Sequence, residues 1–102
     1  MNEQDIFQKI TDEFYWFHRH PELSYEEVET TKRLREDLAA AGIEVLDLPL
    51  KTGLVAKVGT GEAPFIALRC DIDGLPIQEE SGLAYASEHA GRMHACGHDF
   101  HI

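Results

Sequence analysis

A ten-residue stretch, FIALRCDIDG at positions 65–74, joins a continuous apolar run to a pair of aspartates. An apolar run without polar alternation is typical of a central strand that is covered on both faces of its sheet. Asp71 and Asp73 follow at the carboxyl end of this predicted strand, where open α/β sheets place their functional sites. The stretch therefore predicts an α/β fold with a site just after residue 70.

The two aspartates have a specific chemical use. In an extended segment residues i and i+2 project to the same side, so the carboxylates of Asp71 and Asp73 converge. Such a pair can hold a metal ion or orient a ligand of one. Arg69 lies on the same side and can neutralise the pair. A simple turn is the alternative, because Gly74 and Pro76 follow and aspartate is common in turns.

Two helices are predicted ahead of the strands, over residues 4–19 and 25–41. Apolar residues recur every three or four positions in the first segment, as on one face of a helix, and Pro21 ends it. Ser24 and Glu27 have the spacing of a capping box, which predicts the start of the second helix.

The period changes at Gly42, which is well placed to end the second helix in the left-handed conformation. Short apolar segments follow at residues 43–48, 54–58 and 65–68, separated by residues that favour turns. These segments predict three strands. The sequence thus indicates two helices followed by three strands.

The final stretch, HACGHDFH at positions 94–101, gathers a thiol, three imidazoles and a carboxylate in eight positions. The thiolate of Cys96 and the imidazole of His98 suit zinc, manganese, cobalt or nickel better than calcium or magnesium. A chance grouping of histidines in a surface loop is the alternative. A zinc finger is disfavoured, because the chain has no second ligand pair at that spacing. His18 and His20 are interpreted as charges at a helix C terminus rather than as ligands.

Composition narrows the class of partner. The formal net charge is −10, from 19 acidic and 9 basic residues, which disfavours nucleic acids and anionic membranes because both require a basic patch. The start of the sequence is polar and acidic and lacks the pattern of a signal peptide. We therefore expect a cytoplasmic protein that acts on a small molecule, with its two cysteines reduced.

Four stretches together resemble the metal-dependent amidohydrolases of the aminoacylase and hippurate hydrolase type, which include bacterial N-acetyl-diaminopimelate deacetylase and plant auxin-conjugate hydrolases. In order along the chain they are HRHPELS at 18–24, TGLVA at 52–56, RCDIDGLPIQE at 69–79 and MHACGHD at 93–99. Two residues depart from the family pattern: Cys70 stands where alanine is commoner, and Phe100 where a small residue is usual.

The resemblance implies a two-domain enzyme with a zinc-peptidase-like α/β catalytic domain and a smaller inserted domain that serves as lid and dimer contact. Residues 1–102 would be the N-terminal portion of the catalytic domain. Cys96 and His98 are then expected to be metal ligands, and Asp73 the acidic residue behind the site. Asp71 and His101 are expected near the site without direct ligation.

The resemblance also implies a reaction. Two divalent metal ions (manganese, zinc, cobalt or nickel) would activate a water that attacks the amide of an N-acyl amino acid or a similar small amide. The glutamate base, a further glutamate ligand and two histidine ligands are expected beyond residue 102, so residues 1–102 alone should be inactive. The complete enzyme is expected to be a homodimer. The alternative is a non-catalytic metal-binding or regulatory module derived from this family.

Overall fold

The computed structural model describes residues 2–102. Within this range no helix is both long and apolar enough to cross a membrane. The described residues form three helices and one antiparallel sheet of two strands. Their order is α1 (Glu3–Arg19), α2 (Val28–Ala40), β1 (Glu44–Val45), β2 (Ala56–Lys57) and α3 (His98–His101).

The first helix confirms the prediction and starts one residue earlier than expected. The Asn2 side chain accepts a hydrogen bond from the Asp5 amide at 2.9 Å, and the Asp5 carboxylate returns to the Asn2 amide at 3.4 Å. This reciprocal capping box satisfies two amides that a helix start leaves without partners. At the other end of α1, Phe17 and His18 are buried, whereas Phe7 is exposed. The C-terminal half of α1 therefore faces the interior.

The second helix is confirmed, but its predicted capping box is wrong. Helix α2 starts at Val28 rather than Tyr25, because the backbone of Tyr25 has φ +68° and turns the chain before the helix begins. The side chain of Glu27, at the cap position, makes no capping hydrogen bond. The Ser24 hydroxyl donates instead to Asp73 at 2.7 Å, so a residue expected to start a helix serves the site.

Glu22 caps α2 in place of Ser24. Its two carboxylate oxygens accept hydrogen bonds from the amides of Glu29 at 3.1 Å and Thr30 at 2.6 Å. A carboxylate at a helix N terminus satisfies orphan amides and interacts favourably with the helix dipole. The turn after α1 is therefore tied to the start of α2.

The predicted helix end at Gly42 is confirmed. Gly42 has φ +73°, and its amide donates to Ala39 at 3.0 Å while the amide of Ile43 donates to Leu38 at 2.9 Å. These bonds form a Schellman motif, in which glycine takes the left-handed position without a steric penalty. The chain then enters β1, which pairs antiparallel with β2 in the register Glu44 to Lys57 and Val45 to Ala56.

The prediction of a third strand is wrong for residues 2–102. Residues 65–68 belong to no helix or strand, and Phe65, Ile66 and Leu68 are 63%, 97% and 99% exposed. The apolar pattern correctly marks residues that favour a covered strand. Within residues 2–102, however, no strand lies beside them to pair with their backbone.

A tight contact places the loop that carries Asp73. The Gly74 amide donates to the Glu22 carbonyl at 2.7 Å, and Leu75 and Met93 exchange two backbone bonds of 2.8 and 3.0 Å. A Cβ at Gly74 would lie 2.9 Å from the Pro21 side chain and 3.1 Å from the Met93 carbonyl oxygen. Only glycine allows this approach, which brings residues 71–75 between the end of α1 and the segment that leads to α3.

We expect Glu22→Ala to lower the free energy of unfolding by about 1 kcal/mol, the usual effect of losing a helix cap. Urea-induced unfolding of the two proteins measures the difference. Glu26→Ala is the matched control, since Glu26 is exposed in the same turn and donates only its backbone amide, to Leu23. An equal loss in both variants would contradict the capping role of Glu22.

Candidate metal centre

Asp73 holds the imidazole of His98 by two contacts. The Nδ1 atom of His98 lies 2.9 Å from the backbone carbonyl oxygen of Asp73 and 3.0 Å from its carboxylate Oδ1. Both partners are acceptors, so Nδ1 carries the hydrogen. In a neutral ring this leaves the lone pair on Nε2, the form in which histidine binds metals.

Asp71 lies on the other side of the same ring. Its Oδ2 is 3.7 Å from the Nε2 atom of His98, and its Oδ1 pairs with the Arg69 guanidinium at 2.7 Å. Arg69 and Asp71 thus face each other, as expected for residues i and i+2 of an extended segment. The imidazole of His98 lies between two carboxylates, one that fixes Nδ1 and one near Nε2.

The carboxylate of Asp73 is kept ionised by its neighbours. The hydrogen bond from the Ser24 hydroxyl holds the pKa of Asp73 below its ordinary value, and partial burial opposes this, but the charge and hydrogen bond of His98 reinforce it. An ionised carboxylate bonded to Nδ1 raises the basicity of the opposite nitrogen. Asp73 is therefore suited to orient His98 and to strengthen it as a ligand.

Gly97 separates the two candidate ligands. It has φ +93° and precedes α3, and its carbonyl accepts from the amides of Phe100 at 3.1 Å and His101 at 3.2 Å. Cys96, before this left-handed turn, is an exposed free cysteine, and His98, after the turn, is half-buried. His101 is exposed, with its ring edge 4.0 Å from the position of a Cβ on Gly97.

The donors fit a transition metal better than a hard cation, because a thiol and an imidazole nitrogen are soft to borderline ligands. Within residues 2–102 no group of three or more histidine, cysteine, aspartate or glutamate residues is arranged to hold a metal ion. Cys96 and His98 can therefore supply part of a coordination sphere, since a catalytic site usually needs about three protein ligands.

His18 has a role that the sequence did not reveal. It is buried, with Nδ1 2.8 Å from Oδ2 of Asp99 and Nε2 3.0 Å from both carboxylate oxygens of Glu79. His20 lies at the same helix end, is partly exposed and pairs with Glu88 at 3.3 Å, but burial lowers its pKa and so disfavours the predicted charge. The sequence did contain one sign of this role: His18, Glu79 and Asp99 each lie in one of the stretches that resemble the family.

Two further groups complete the surroundings of the site. The Glu79 carboxylate also accepts from the Ser87 amide at 2.9 Å and from the Ser81 hydroxyl. Burial alone would raise the pKa of Glu79, but these hydrogen bonds and His18 lower it.

His94 is buried, and neither of its ring nitrogens has a hydrogen-bond partner among the described residues. Burial lowers the pKa of His94 and so favours the neutral ring.

The profile of the peptidase family M20/M25/M40 matches residues 67–102, which include Asp71, Asp73 and the whole of the Cys96–His98 turn. N-acetylcysteine deacetylase of Bacillus subtilis is 58% identical over 86 residues, which cover 82% of this chain and 23% of that protein. The Arabidopsis thaliana protein named IAA-amino acid hydrolase ILR1-like 2 is 46% identical over 94% of this chain and 24% of its own length.

A crystal structure of a Bacillus subtilis protein described as a dinuclear metal-binding peptidase of the M20 family superposes with a TM-score of 0.94 at 49% identity. The match covers 98% of this chain and 28% of that one. The chain belongs to the M20 peptidase family, as the motif resemblance implied, and it has the fold of the matching part of that structure. It spans about a quarter of the length of these relatives.

Ser24→Ala should raise the pKa of Asp73 towards its ordinary value, because the hydrogen bond from Ser24 is the main cause of its lowering. The lost bond should cost about 1 kcal/mol of stability at neutral pH. A carboxyl pKa that is lower in the folded than in the unfolded protein stabilises the fold at pH values above the unfolded pKa of about 3.9. This contribution is lost as the pH falls through the pKa of the folded protein. The two proteins should therefore converge in stability on acidification.

Carbon-13 NMR titration of the Asp73 carboxyl group and urea unfolding at several pH values measure these changes. Ser87→Ala is the control, since the Ser87 hydroxyl donates to the His89 carbonyl and not to a carboxylate. An unchanged Asp73 titration in Ser24→Ala would show that the hydroxyl does not set the charge of this carboxylate.

Proposed function

We propose that the complete protein is a metal-dependent amidohydrolase, and that this chain supplies Cys96 and His98 as metal ligands. The observation that carries the proposal is the fixing of His98 Nδ1 by the carbonyl and the carboxylate of Asp73, at 2.9 and 3.0 Å. Metal-binding histidines are typically held in this way through the nitrogen that does not bind the metal.

Each nearby residue has a role in this proposal. Cys96 binds as a thiolate, and its exposure leaves the sulfur accessible to an ion. Asp73 positions His98 and is the catalytic acidic residue behind the site, whereas Asp71, neutralised on one side by Arg69, faces Nε2. His101 lies near the turn without direct ligation. A divalent metal bound by such ligands lowers the pKa of a coordinated water and polarises an amide carbonyl.

The proposed substrate is an N-acyl amino acid or a similar small amide. Two relatives support this class, since their names describe deacetylation of N-acetylcysteine and hydrolysis of an amino acid conjugate. The similar crystal structure is described as dinuclear, which supports two metal ions in the complete site. Manganese, zinc, cobalt or nickel fits the thiolate and imidazole donors.

The remaining parts of the proposal concern the whole protein. Residues 1–102 form the N-terminal portion of the catalytic domain, and a lid and dimerisation domain, the glutamate base and the other ligands lie outside them. The complete protein acts as a homodimer in the cytoplasm on a small molecule. The net charge of −10 supports this choice over a nucleic acid or an anionic membrane as partner.

The two cysteines provide a matched test in the full-length protein. Cys96→Ala should remove a ligand, lower the bound metal and abolish turnover of N-acetyl amino acids. Cys70→Ala should leave the bound metal and the turnover nearly unchanged. Cys70 precedes the site, and alanine is the commoner residue at this position in the family that the chain resembles. Metal content is measured by inductively coupled plasma mass spectrometry. A full metal complement in Cys96→Ala would remove the main support for the proposed function.

Residues 1–102 alone should show no turnover of N-acetyl amino acids or hippurate with manganese, zinc or cobalt added. The reason is that the described residues contain no complete three-ligand group. The full-length protein under the same conditions is the positive control. Turnover by residues 1–102 would contradict the proposed division of the site, and an inactive full-length protein that still binds metal would favour the regulatory module.

A further inference from the structure

We propose that His18 is a positioning residue, a buried imidazolium that ties α3 to α1 and thereby holds the Cys96–His98 turn in its ligating geometry. This inference rests on the proposed function, because it assigns His18 a role towards the same metal centre. His18 does not contact Cys96 or His98 in the structure, so it would act through its neighbours.

The charge of His18 follows from its two contacts. Nδ1 lies 2.8 Å from the Asp99 carboxylate and Nε2 lies 3.0 Å from that of Glu79. A neutral imidazole has one N–H, so one of these nitrogens would present its lone pair to a carboxylate. A doubly protonated ring donates to both. With both carboxyl groups ionised, the geometry therefore favours an imidazolium between them.

The surroundings isolate this group from water. The side chains of His18, Glu79 and Asp99 are 9%, 2% and 5% exposed, and the His18 ring packs edge-on to Tyr85 at 5.4 Å between centroids. The Phe14 ring lies 6.1 Å away on the same helix. Removing the cation from such a group leaves two buried carboxylates without a counter-charge, which is strongly unfavourable.

The protonation state has further support. Burial alone would lower the pKa of His18, but the hydrogen bonds and charges of Glu79 and Asp99 outweigh it and raise the pKa. Tyr85, which packs against the ring, and His94 are the other titratable groups near His18. A histidine pKa that is raised by folding stabilises the fold at pH values below the ordinary pKa of about 6.5. This contribution is lost as the pH rises through the raised pKa.

Helix α3 transmits the contact to the metal centre. It has four residues, too few to be stable without tertiary contacts. Its first two residues bond in different directions: His98 to the loop at Asp73, and Asp99 to α1 through His18. Without the bond to His18, α3 loses its side-chain hydrogen bond to α1, and Asp73 alone would hold His98. His18 would thus act with Asp73, by limiting the movement of α3 that carries the His98 ring.

The test uses the full-length protein and cobalt(II) alone as the probe. His18→Gln removes the charge and one of the two donors, and it should weaken cobalt binding by about 10- to 100-fold, the range for residues that orient metal ligands. It should also weaken the thiolate-to-cobalt absorption band that reports coordination by Cys96. His20→Gln is the matched control, since His20 belongs to the same helix end and pairs with the exposed Glu88. It should leave both signals unchanged.

A charge role predicts a specific rescue. In His18→Gln with Glu79→Gln, the glutamine at position 18 can donate to Asp99 and accept from the new amide at position 79. Only the charge of Asp99 then remains, which equals the net charge of the three unaltered groups. This double variant should recover much of the cobalt affinity. Equal affinity of His18→Gln and the unaltered protein overturns the proposal, and so does a double variant that binds more weakly than His18→Gln.

Nitrogen-15 NMR of histidine-labelled, unaltered protein decides the matter if His18→Gln does not fold. Two protonated ring nitrogens on His18 at neutral pH are expected, and a neutral ring overturns the proposal. The Glu79→Gln variant should also bind cobalt more weakly, and unchanged affinity would count against the positioning role of His18. If the unaltered protein shows no thiolate band with cobalt, the proposed function fails, whereas the NMR result on His18 still stands by itself.

Discussion

The arrangement of the site depends on the close approach of Gly74 to Pro21 and Met93. A side chain at Gly74 would clash with both neighbours, at 2.9 and 3.1 Å, and the Gly74 amide bonds to the Glu22 carbonyl across this contact. One residue before it, Asp73 is thereby brought within reach of Ser24 on one side and His98 on the other. Backbone packing at this glycine therefore places Asp73 for its contacts in the proposed metal centre.

Polar contacts connect the distant parts of this chain more than a hydrophobic core does. Among the described residues the buried large hydrophobic side chain is Phe17, whereas the buried polar side chains with hydrogen-bond partners include His18, Thr31 and Asp99. Paired buried polar groups are costly to disturb, because each lost partner leaves another group without a hydrogen bond. Such a network fixes geometry closely, which suits a site whose ligands must keep their directions.

Helix positions were predictable because their signals are local. The apolar spacing of α1 and the left-handed glycine after α2 act within a few residues, and both were confirmed. The cap of α2 was assigned wrongly, since Ser24 has the right spacing but bonds to Asp73, 49 positions away. The apolar run at residues 65–68 marks a preference for a covered strand, and a strand also needs a partner, which local sequence does not specify.

The sequence by itself determined the two helices, the family and the residue types of the proposed metal centre, because spacing and side-chain chemistry are properties of short segments. Only the tertiary structure decided which groups meet: Glu22 with the start of α2, Asp73 with Nδ1 of His98, and His18 with Glu79 and Asp99. These partners are separated by up to 81 positions. Contacts over such separations depend on how the loops pack, and a histidine next to a proline gives no local sign that two carboxylates will surround it.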